Sequence, residues 1–309
     1  MPLDRLLRHL IAWQSLDGPP VPDRDLPVAA ARERYLANAV RTRQDQDAGQ
    51  DVTAAAGQAG GPDGTAVPLR VYTPASGGRR RVLTYLHGGG WVLGDLDSHD
   101  HVCRGLAASL DAVVVAADYR LAPEFPFPAQ LHDAVAAVRW TAAAFPGRAH
   151  VLAGDSAGAS LALGVALRER DLPYAAHLLV YPPVDPSLTY ASASECAKGY
   201  LLGVDDMAWN YDQYVQDPRL RADPAVNLLE ADFRGLAPTL VATAEYDPLR
   251  DEAVELVARM SAAGVDVTHL PGEGLVHGYF LMQGAVPAAA VRAGHVIGAL
   301  GTLLAAAEG

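Results

Sequence analysis

Short apolar runs alternate with segments of helical spacing along most of this 309-residue chain. The apolar runs are unbroken and rich in β-branched residues, which is typical of strands that are buried on both faces. They lie at 81–86, 112–117, 151–153, 178–180 and 240–244. The helical patterns lie at about 100–110, 129–144, 157–170, 250–263 and 288–307. Strands that alternate with helices predict an α/β fold with a mostly parallel sheet that is covered on both sides.

The first part of the chain and one later stretch depart from this alternation. Two amphipathic helices are predicted over about 1–17 and 28–43, and prolines follow the first of them. A turn signal at 61–64 separates a weak strand from a better one at 66–72. Between Pro182 and Pro238 the pattern lapses, and we interpret that stretch as an insertion over one end of the sheet.

These patterns predict one domain over residues 1–309. Its catalytic core is expected at about 50–182 and 236–309, and its cap elements at about 1–45 and 183–235. Length agrees with this division, because α/β folds often reach 300 residues as a single unit.

Composition excludes several classes of protein. The net charge of −12 argues against nucleic acid as a partner, because an acidic chain repels phosphate backbones. Two cysteines make neither a disulfide framework nor a zinc ribbon. The longest nearly apolar run, Val296 to Ala307, is shorter than the ~20 residues of a membrane helix. We therefore expect a soluble, cytoplasmic protein that does not act at a membrane.

The segment Gly154-Asp155-Ser156-Ala157-Gly158 follows a predicted strand and precedes a predicted helix. In that context the G-x-S-x-G pattern is typical of a nucleophile on a sharp strand-to-helix turn. The next backbone N–H then lies at a helix N-terminus, where it can stabilise an oxyanion. A plain structural turn is the alternative, and the flanking strand and helix favour the nucleophile.

A run of glycines, His87-Gly88-Gly89-Gly90-Trp91, follows the strand at 81–86. Glycines allow backbone amides to approach a substrate oxygen, as acyl-transfer chemistry requires. A flexible turn is one alternative reading, and a phosphate cradle is another, although the Lys-Ser/Thr of a P-loop is missing. We expect His87 to anchor the loop rather than to act as a base.

Four motifs in this order make the chain resemble the hormone-sensitive-lipase-like family of α/β-hydrolase esterases. They are His87–Gly90, Asp118–Glu124, Gly154–Gly158 and Asp247–Asp251. The resemblance extends from about Val67 to His277. It implies an α/β-hydrolase fold with an eight-stranded, mostly parallel sheet flanked by helices and a helical cap. It also implies Ser156 as the nucleophile and the amides of Gly88, Gly89 and Ala157 as the oxyanion hole.

A serine nucleophile needs a base, and in α/β hydrolases the acid and then the histidine follow it along the chain. His269 falls in an alternating stretch and His295 in the last helix, whereas His277 falls in a predicted loop after a strand. We therefore predict His277 as the base. Asp247 follows the strand at 240–244 and matches the family motif, so it is predicted as the orienting acid, with Glu245 as its rival.

Other candidate residues receive structural interpretations. His99 and His101, near Asp97 and Asp100, resemble a metal site, but we interpret them as a solvated helix start. Phe125 and Phe127 are expected to pack under the cap. The aromatic group at 209, 211 and 214 either lines a pocket or forms the core of the cap, and both readings are left open.

Together these features predict a serine carboxylic-ester hydrolase that acts on small or short-acyl esters. The chemistry requires no cofactor and no metal. Two other functions are left open. One is a small-ligand receptor on the same fold, which the presence of His277 disfavours, and the other is an amidase or acyltransferase with the same triad. A homodimer is left open as well.

Overall fold

An eight-stranded sheet forms the centre of the computed structural model, which describes residues 1–14, 21–43, 49, 51–62 and 64–308. The strands are β1 (Val52–Gly60), β2 (Ala66–Pro74), β3 (Arg81–Leu86), β4 (Ala112–Ala117), β5 (Ala149–Asp155), β6 (Tyr174–Val180), β7 (Thr239–Tyr246) and β8 (Val267–Val276). Their order across the sheet is β1-β2-β4-β3-β5-β6-β7-β8. Strand β2 pairs antiparallel with β1 and β4, and the other pairs are parallel.

The unbroken apolar runs arise because both faces of the central strands are covered. In β4, Val113 and Val115 belong to one hydrophobic cluster, whereas Val114 and Ala116 belong to another on the opposite face. Successive side chains of a strand point to opposite faces, so a strand between two helical layers is apolar at every position.

Helices form both covering layers. They are α1 (Arg5–Gln14), α2 (Val28–Arg43), α3 (Asp100–Leu110), α4 (Ala129–Ala144), α5 (Ala157–Arg168), α6 (Ala191–Glu195), α7 (Val204–Tyr214), α8 (Arg250–Ala262) and α9 (Pro287–Glu308). Residues of α4, α5 and α8 pack in the first cluster, and residues of α3 and α9 pack in the second. The α/β fold and the eight strands are as predicted, and the predicted first helix continues into residues 15–17, which lie outside the described residues.

Helix α2 and helix α7 of the inserted stretch meet at the loop that follows β3. Ala31 of α2 packs with Val92 and Leu93 of that loop, and Trp209 of α7 packs against the same cluster. Arg32 donates to the carbonyl of Val92 at 2.9 Å and pairs with Glu124 at 2.7 Å. Both cap elements therefore contact the glycine-rich loop, although their division from the core stays a prediction.

Helix α9 contains a stretch, 287–306, that is long and apolar enough to cross a membrane by length and composition. The extent of the helix agrees with the predicted 288–307, but the apolar run considered in the sequence, 296–307, underestimated the length of its apolar stretch. Ala293, Val296, Leu300 and Leu304 of α9 are buried in the cluster that covers one face of the sheet. Its apolar face is thus used inside the fold, as in the core helix of a globular domain.

Candidate active site

Ser156 lies at the sharp turn between β5 and α5. Its backbone has φ 50° and ψ −126°, a positive φ that side chains other than glycine rarely adopt. Its N–H donates to the carbonyl of Val180 at the end of β6, at 2.8 Å, which holds the strained turn in place. The serine side chain is therefore presented at the carboxyl edge of the parallel strands, where open α/β sheets carry their sites.

The two glycines of the turn are required by close backbone contacts. A Cβ at Gly154 would lie 2.5 Å from the backbone of Gly158, and one at Gly158 would lie 2.0 Å from the carbonyl oxygen of Leu86. Real Cβ atoms do not approach backbone so closely, so only glycine fits at either position. The packing thus explains why glycine occupies both ends of Gly154–Gly158.

Three side chains from three strand ends form a hydrogen-bonded chain. The Oγ of Ser156 lies 2.9 Å from Nε2 of His277, whose Nδ1 lies 2.7 Å from Oδ2 of Asp247. Asp247 is fully buried, and its other oxygen accepts a hydrogen bond from the N–H of Leu249 at 2.9 Å. A carboxylate at Nδ1 fixes the tautomer in which Nε2 can accept the serine proton. The structure therefore brings together the three residues that the sequence singled out.

The environment of His277 differs in one respect from the prediction. Strand β8 continues to Val276, so His277 directly follows a strand instead of lying within a loop that begins at 272. A strand end positions the imidazole more firmly than a loop would. The ring of Tyr181 lies 4.4 Å from the imidazole, centroid to centroid, and packs beside it.

The rival candidates lie in other surroundings. Glu245 accepts from the N-terminal amine and from the N–H of Gly274, each at 2.6 Å, so its carboxylate does not reach the imidazole. His269 lies within β8 and contacts the hydroxyl of Thr243 at 2.9 Å, as its alternating pattern predicted. His295 is an exposed residue of α9. His277 and Asp247 are therefore the pair that can serve Ser156.

The glycine-rich loop corrects one predicted oxyanion donor. The N–H of Gly88 donates to Oδ1 of Asp155 at 3.0 Å and also approaches Nε2 of His99 at 3.3 Å. An N–H that already donates to a carboxylate is not available for a substrate oxygen, so this bond contradicts the role assigned to Gly88. Within the described ranges, the amides of Gly89, Gly90 and Ala157 are bonded to no protein acceptor.

A buried polar cluster supports the start of this loop. Oδ1 of Asp155 also accepts from the hydroxyl of Tyr85 at 2.8 Å and lies 3.2 Å from Nε2 of His99. Burial by itself would raise the pKa of Asp155, but the charge and hydrogen bond of His99 and the hydrogen bond of Tyr85 lower it overall. Asp155 is therefore an ionised anchor beside Ser156.

His99 contradicts its interpretation as part of a solvated helix start. The residue is 1% exposed, no side chain caps α3, and Ser98 contacts the Nδ1 of His99 at 2.9 Å. The pattern around it is polar, yet the fold buries His99 against Asp155, beside the turn at Ser156. His101 contacts the carbonyl of Leu281, and no group of three metal-ligating side chains occurs in the described part of the chain.

His87 anchors the loop, and its ring is buried. Its ring stacks on Tyr119 at 4.3 Å, and its Nδ1 lies 2.8 Å from the carbonyl of Gly88. Burial lowers the pKa of His87 to about 4, so the ring is neutral near pH 7. The hydroxyl of Tyr119 donates to the carbonyl of His87 at 2.7 Å, which fixes the backbone as well.

The cap aromatics are mainly core. Tyr214 stacks on Trp91 at 4.3 Å, Tyr211 lies 5.0 Å from the same ring, and both tyrosines are buried. Phe127 packs edge-on against Tyr214, as expected. Phe125 is 46% exposed, so the prediction that it packs under the cap is wrong. Both cysteines are buried and free.

Comparisons with known proteins agree with the observed fold. A family model described as α/β hydrolase fold matches residues 83–281. Carboxylic ester hydrolase LipN of Mycobacterium tuberculosis is 40% identical over 237 residues, which are 71% of this chain and 62% of LipN. Ethyl acetate hydrolase of Pseudomonas putida is 36% identical over 234 residues, 71% of this chain and 73% of that protein. The solved hyperthermophilic esterase of Pyrobaculum calidifontis has a TM-score of 0.90 and 32% identity, and the match covers 98% and 99% of the two chains.

Proposed function

This chain belongs to the hormone-sensitive-lipase-like esterases of the α/β hydrolase fold, and we propose that it hydrolyses small carboxylic esters through an acyl-enzyme intermediate. The observation that carries the proposal is the chain of hydrogen bonds from Ser156 through His277 to Asp247. It ends beside backbone amides that have no acceptor among the described residues. Those amides supply the electrophilic half of a hydrolytic site.

In the first half-reaction, Oγ of Ser156 attacks the carbonyl carbon of the ester while Nε2 of His277 accepts the hydroxyl proton. The new C–O bond converts the carbonyl oxygen into an oxyanion. We assign its stabilisation to the amides of Gly89, Gly90 and Ala157, because the amide of Gly88 is bonded to Asp155. Collapse of the tetrahedral intermediate breaks the ester bond, and the alcohol leaves with the proton from His277.

In the second half-reaction, His277 takes a proton from water, which attacks the acyl carbon. The second tetrahedral intermediate collapses, Ser156 leaves with that proton, and the carboxylic acid is released. Asp247 accepts the Nδ1 hydrogen bond throughout and stabilises the imidazolium. Its burial, with Leu249 on its second oxygen, keeps the carboxylate in the orientation that this role requires.

The preference for small esters is proposed on two grounds. Cap helices α2 and α7 pack on the loop that carries the proposed oxyanion donors, so a substrate must fit between cap and sheet. One relative of the chain is named an ethyl acetate hydrolase. The cytoplasmic location, the absence of nucleic-acid and membrane partners, and the state of association stay predictions.

Hydrolysis of p-nitrophenyl acetate by the purified chain tests the proposal. Ser156→Ala should lower kcat/KM by more than about 10⁴-fold, since loss of the nucleophile removes the covalent route. Ser187→Ala, which changes an exposed serine, is the matched control and should retain the wild-type rate. Turnover retained by Ser156→Ala would overturn the assignment of the nucleophile.

Assays on the same purified protein distinguish the two alternative functions from ester hydrolysis. A receptor on this fold would bind ester analogues without turnover, which would contradict the proposal. An amidase or acyltransferase would prefer an acyl amide, or would transfer the acyl group to an added alcohol faster than to water. We expect ester hydrolysis with water as the acceptor to be the fastest of these reactions.

A further inference from the structure

The inner face of cap helix α7 carries one carboxamide among aromatic and apolar neighbours. Asn210 shares the buried face of this helix with Met207, Tyr211 and Tyr214. These three residues lie three, one and four positions from Asn210 in the sequence. Asn210 is 7% exposed, and its Oδ1 has no hydrogen-bond partner among the described residues. Apart from the tyrosine hydroxyls, of which that of Tyr211 is also unpaired among the described residues, the carboxamide is the polar group of this face.

That carboxamide lies against the glycine-rich loop. A Cβ at Gly90 would fall 2.3 Å from Cγ, 2.4 Å from Nδ2 and 2.5 Å from Oδ1 of Asn210. The side chain of Asn210 thus occupies the space into which any side chain at position 90 would project. Gly90 is one of the residues whose amide we assign to the oxyanion, so Asn210 borders the proposed reaction centre.

The unpaired carboxamide oxygen of Asn210 is not explained by packing. A buried acceptor that loses its hydrogen bond to water is destabilising, and leucine has nearly the same shape without that cost. Folded proteins leave few buried polar atoms unpaired, and each exception requires a reason. A hydrogen-bonding group of a bound substrate supplies the reason here, because the carboxamide of Asn210 borders the proposed substrate site.

We propose that Asn210 is a specificity-determining residue that hydrogen-bonds a hydroxyl group of the substrate, an inference that rests on the ester hydrolysis proposed above. A hydroxyl both donates and accepts, so it can pair with either end of the carboxamide. Since the neighbouring amides hold the carbonyl oxygen, the hydroxyl lies within a few bonds of the ester carbonyl. The substrate class is therefore short hydroxy esters.

Matched substrate pairs test this assignment. On the acyl side we compare ethyl 3-hydroxybutyrate with ethyl butyrate, and on the alcohol side 2-hydroxyethyl acetate with propyl acetate. The quantity measured is the ratio of kcat/KM within each pair, by titration of the released acid. Asn210→Leu should lower this ratio by about 3- to 10-fold in at least one pair, the range that one neutral hydrogen bond supplies.

Met207→Leu is the matched control, because Met207 lies on the same buried face and makes no hydrogen bond through its side chain in the described structure. It should leave both ratios within about twofold of wild type, well below the effect of one hydrogen bond. If Asn210→Leu does not fold, Asn210→Ala removes the carboxamide without adding volume and replaces it in the test.

The outcomes separate this inference from the proposed function. If the wild-type chain hydrolyses neither member of any pair, the ester hydrolase proposal itself fails. If it hydrolyses them and Asn210→Leu or Asn210→Ala changes both members equally, Asn210 only supports the loop and the specificity role is refuted. A fall in one ratio that Met207→Leu does not reproduce supports the role.

Discussion

The carboxylate of Asp155 accepts a hydrogen bond from the N–H of Gly88 at 3.0 Å, so the residue before Ser156 holds the first glycine of the loop after β3. The hydroxyl of Tyr85 and the ring of His99 approach the same carboxylate oxygen. The nucleophile turn and the glycine-rich loop are therefore joined by one buried anion. Such a connection fixes Ser156 relative to the proposed oxyanion donors, which is the preorganisation that acyl transfer requires.

Asp155→Asn tests this connection. The amide keeps the shape of the side chain but removes its charge and one of its acceptor oxygens. We expect kcat on p-nitrophenyl acetate to fall by about 10- to 100-fold with a smaller change in KM, because a small displacement of the loop misplaces the donors. Asp212→Asn, at an exposed ion pair of α7, is the control and should change neither constant. Wild-type kcat in Asp155→Asn would refute the link.

Much of the site could be predicted because it depends on local patterns at strand ends. Ser156 lies between an apolar run and a helix, and Asp247 follows another such run. In a parallel sheet the carboxyl ends of these strands share one edge, so residues far apart in sequence converge. The resemblance to a known family added the order of the motifs and the cap.

The rest depends on contacts that no local pattern contains. Three consecutive glycines look equivalent in the sequence. Only the hydrogen bond from Gly88 to Asp155, 67 positions away, shows that the amide of Gly88 is already occupied. His99 has polar neighbours in sequence, yet the fold buries it beside that same carboxylate. An aspartate that is buried directly before Ser156 needs hydrogen-bond donors. Its position in the motif is the one signal in the sequence for the contact with Gly88.

The roles of Asp247 and Glu245 can be distinguished by replacing each carboxylate with the corresponding amide. Asp247→Asn removes the charge that holds the tautomer of His277, and we expect kcat to fall by about 10³- to 10⁴-fold. Glu245→Gln alters only contacts with Gly274 and the N-terminal amine, so kcat should stay within about threefold, as for a surface change. Steady-state kinetics on one ester at pH 8 compares them. The reverse order of effects would make Glu245 the acid.

Two glycines in helices should respond in opposite ways to the same change. A Cβ at Gly158 would lie 2.0 Å from the carbonyl oxygen of Leu86, so Gly158→Ala should cost more than about 3 kcal/mol or prevent folding. In the described part of the chain no atom lies within 4 Å of a Cβ built at Gly298 in α9, and Gly298→Ala should raise the free energy of unfolding by about 0.5–1 kcal/mol. Urea unfolding monitored by circular dichroism measures both. Equal effects would contradict the packing at the turn.

Stability should fall in acid because of buried neutral histidines at the sheet. Burial lowers the pKa of His150 and of His177 to about 4, whereas an unfolded histidine titrates near ~6.5. Between these values the unfolded chain binds more protons than the folded one, so the free energy of unfolding decreases as pH falls from about 6.5 to 4. Above that window the two residues contribute no pH dependence.

His150→Gln isolates one of these contributions, because glutamine can still bond the hydroxyl of Thr84, which lies 2.8 Å from the imidazole. Each buried histidine should account for about 2 kcal/mol of the stability lost between pH 7 and pH 5. The difference between urea unfolding at the two pH values should therefore shrink by that amount in His150→Gln. His295→Gln, at an exposed histidine, should leave it unchanged. An unaltered difference in His150→Gln would mean that the imidazole takes up its proton inside the folded chain.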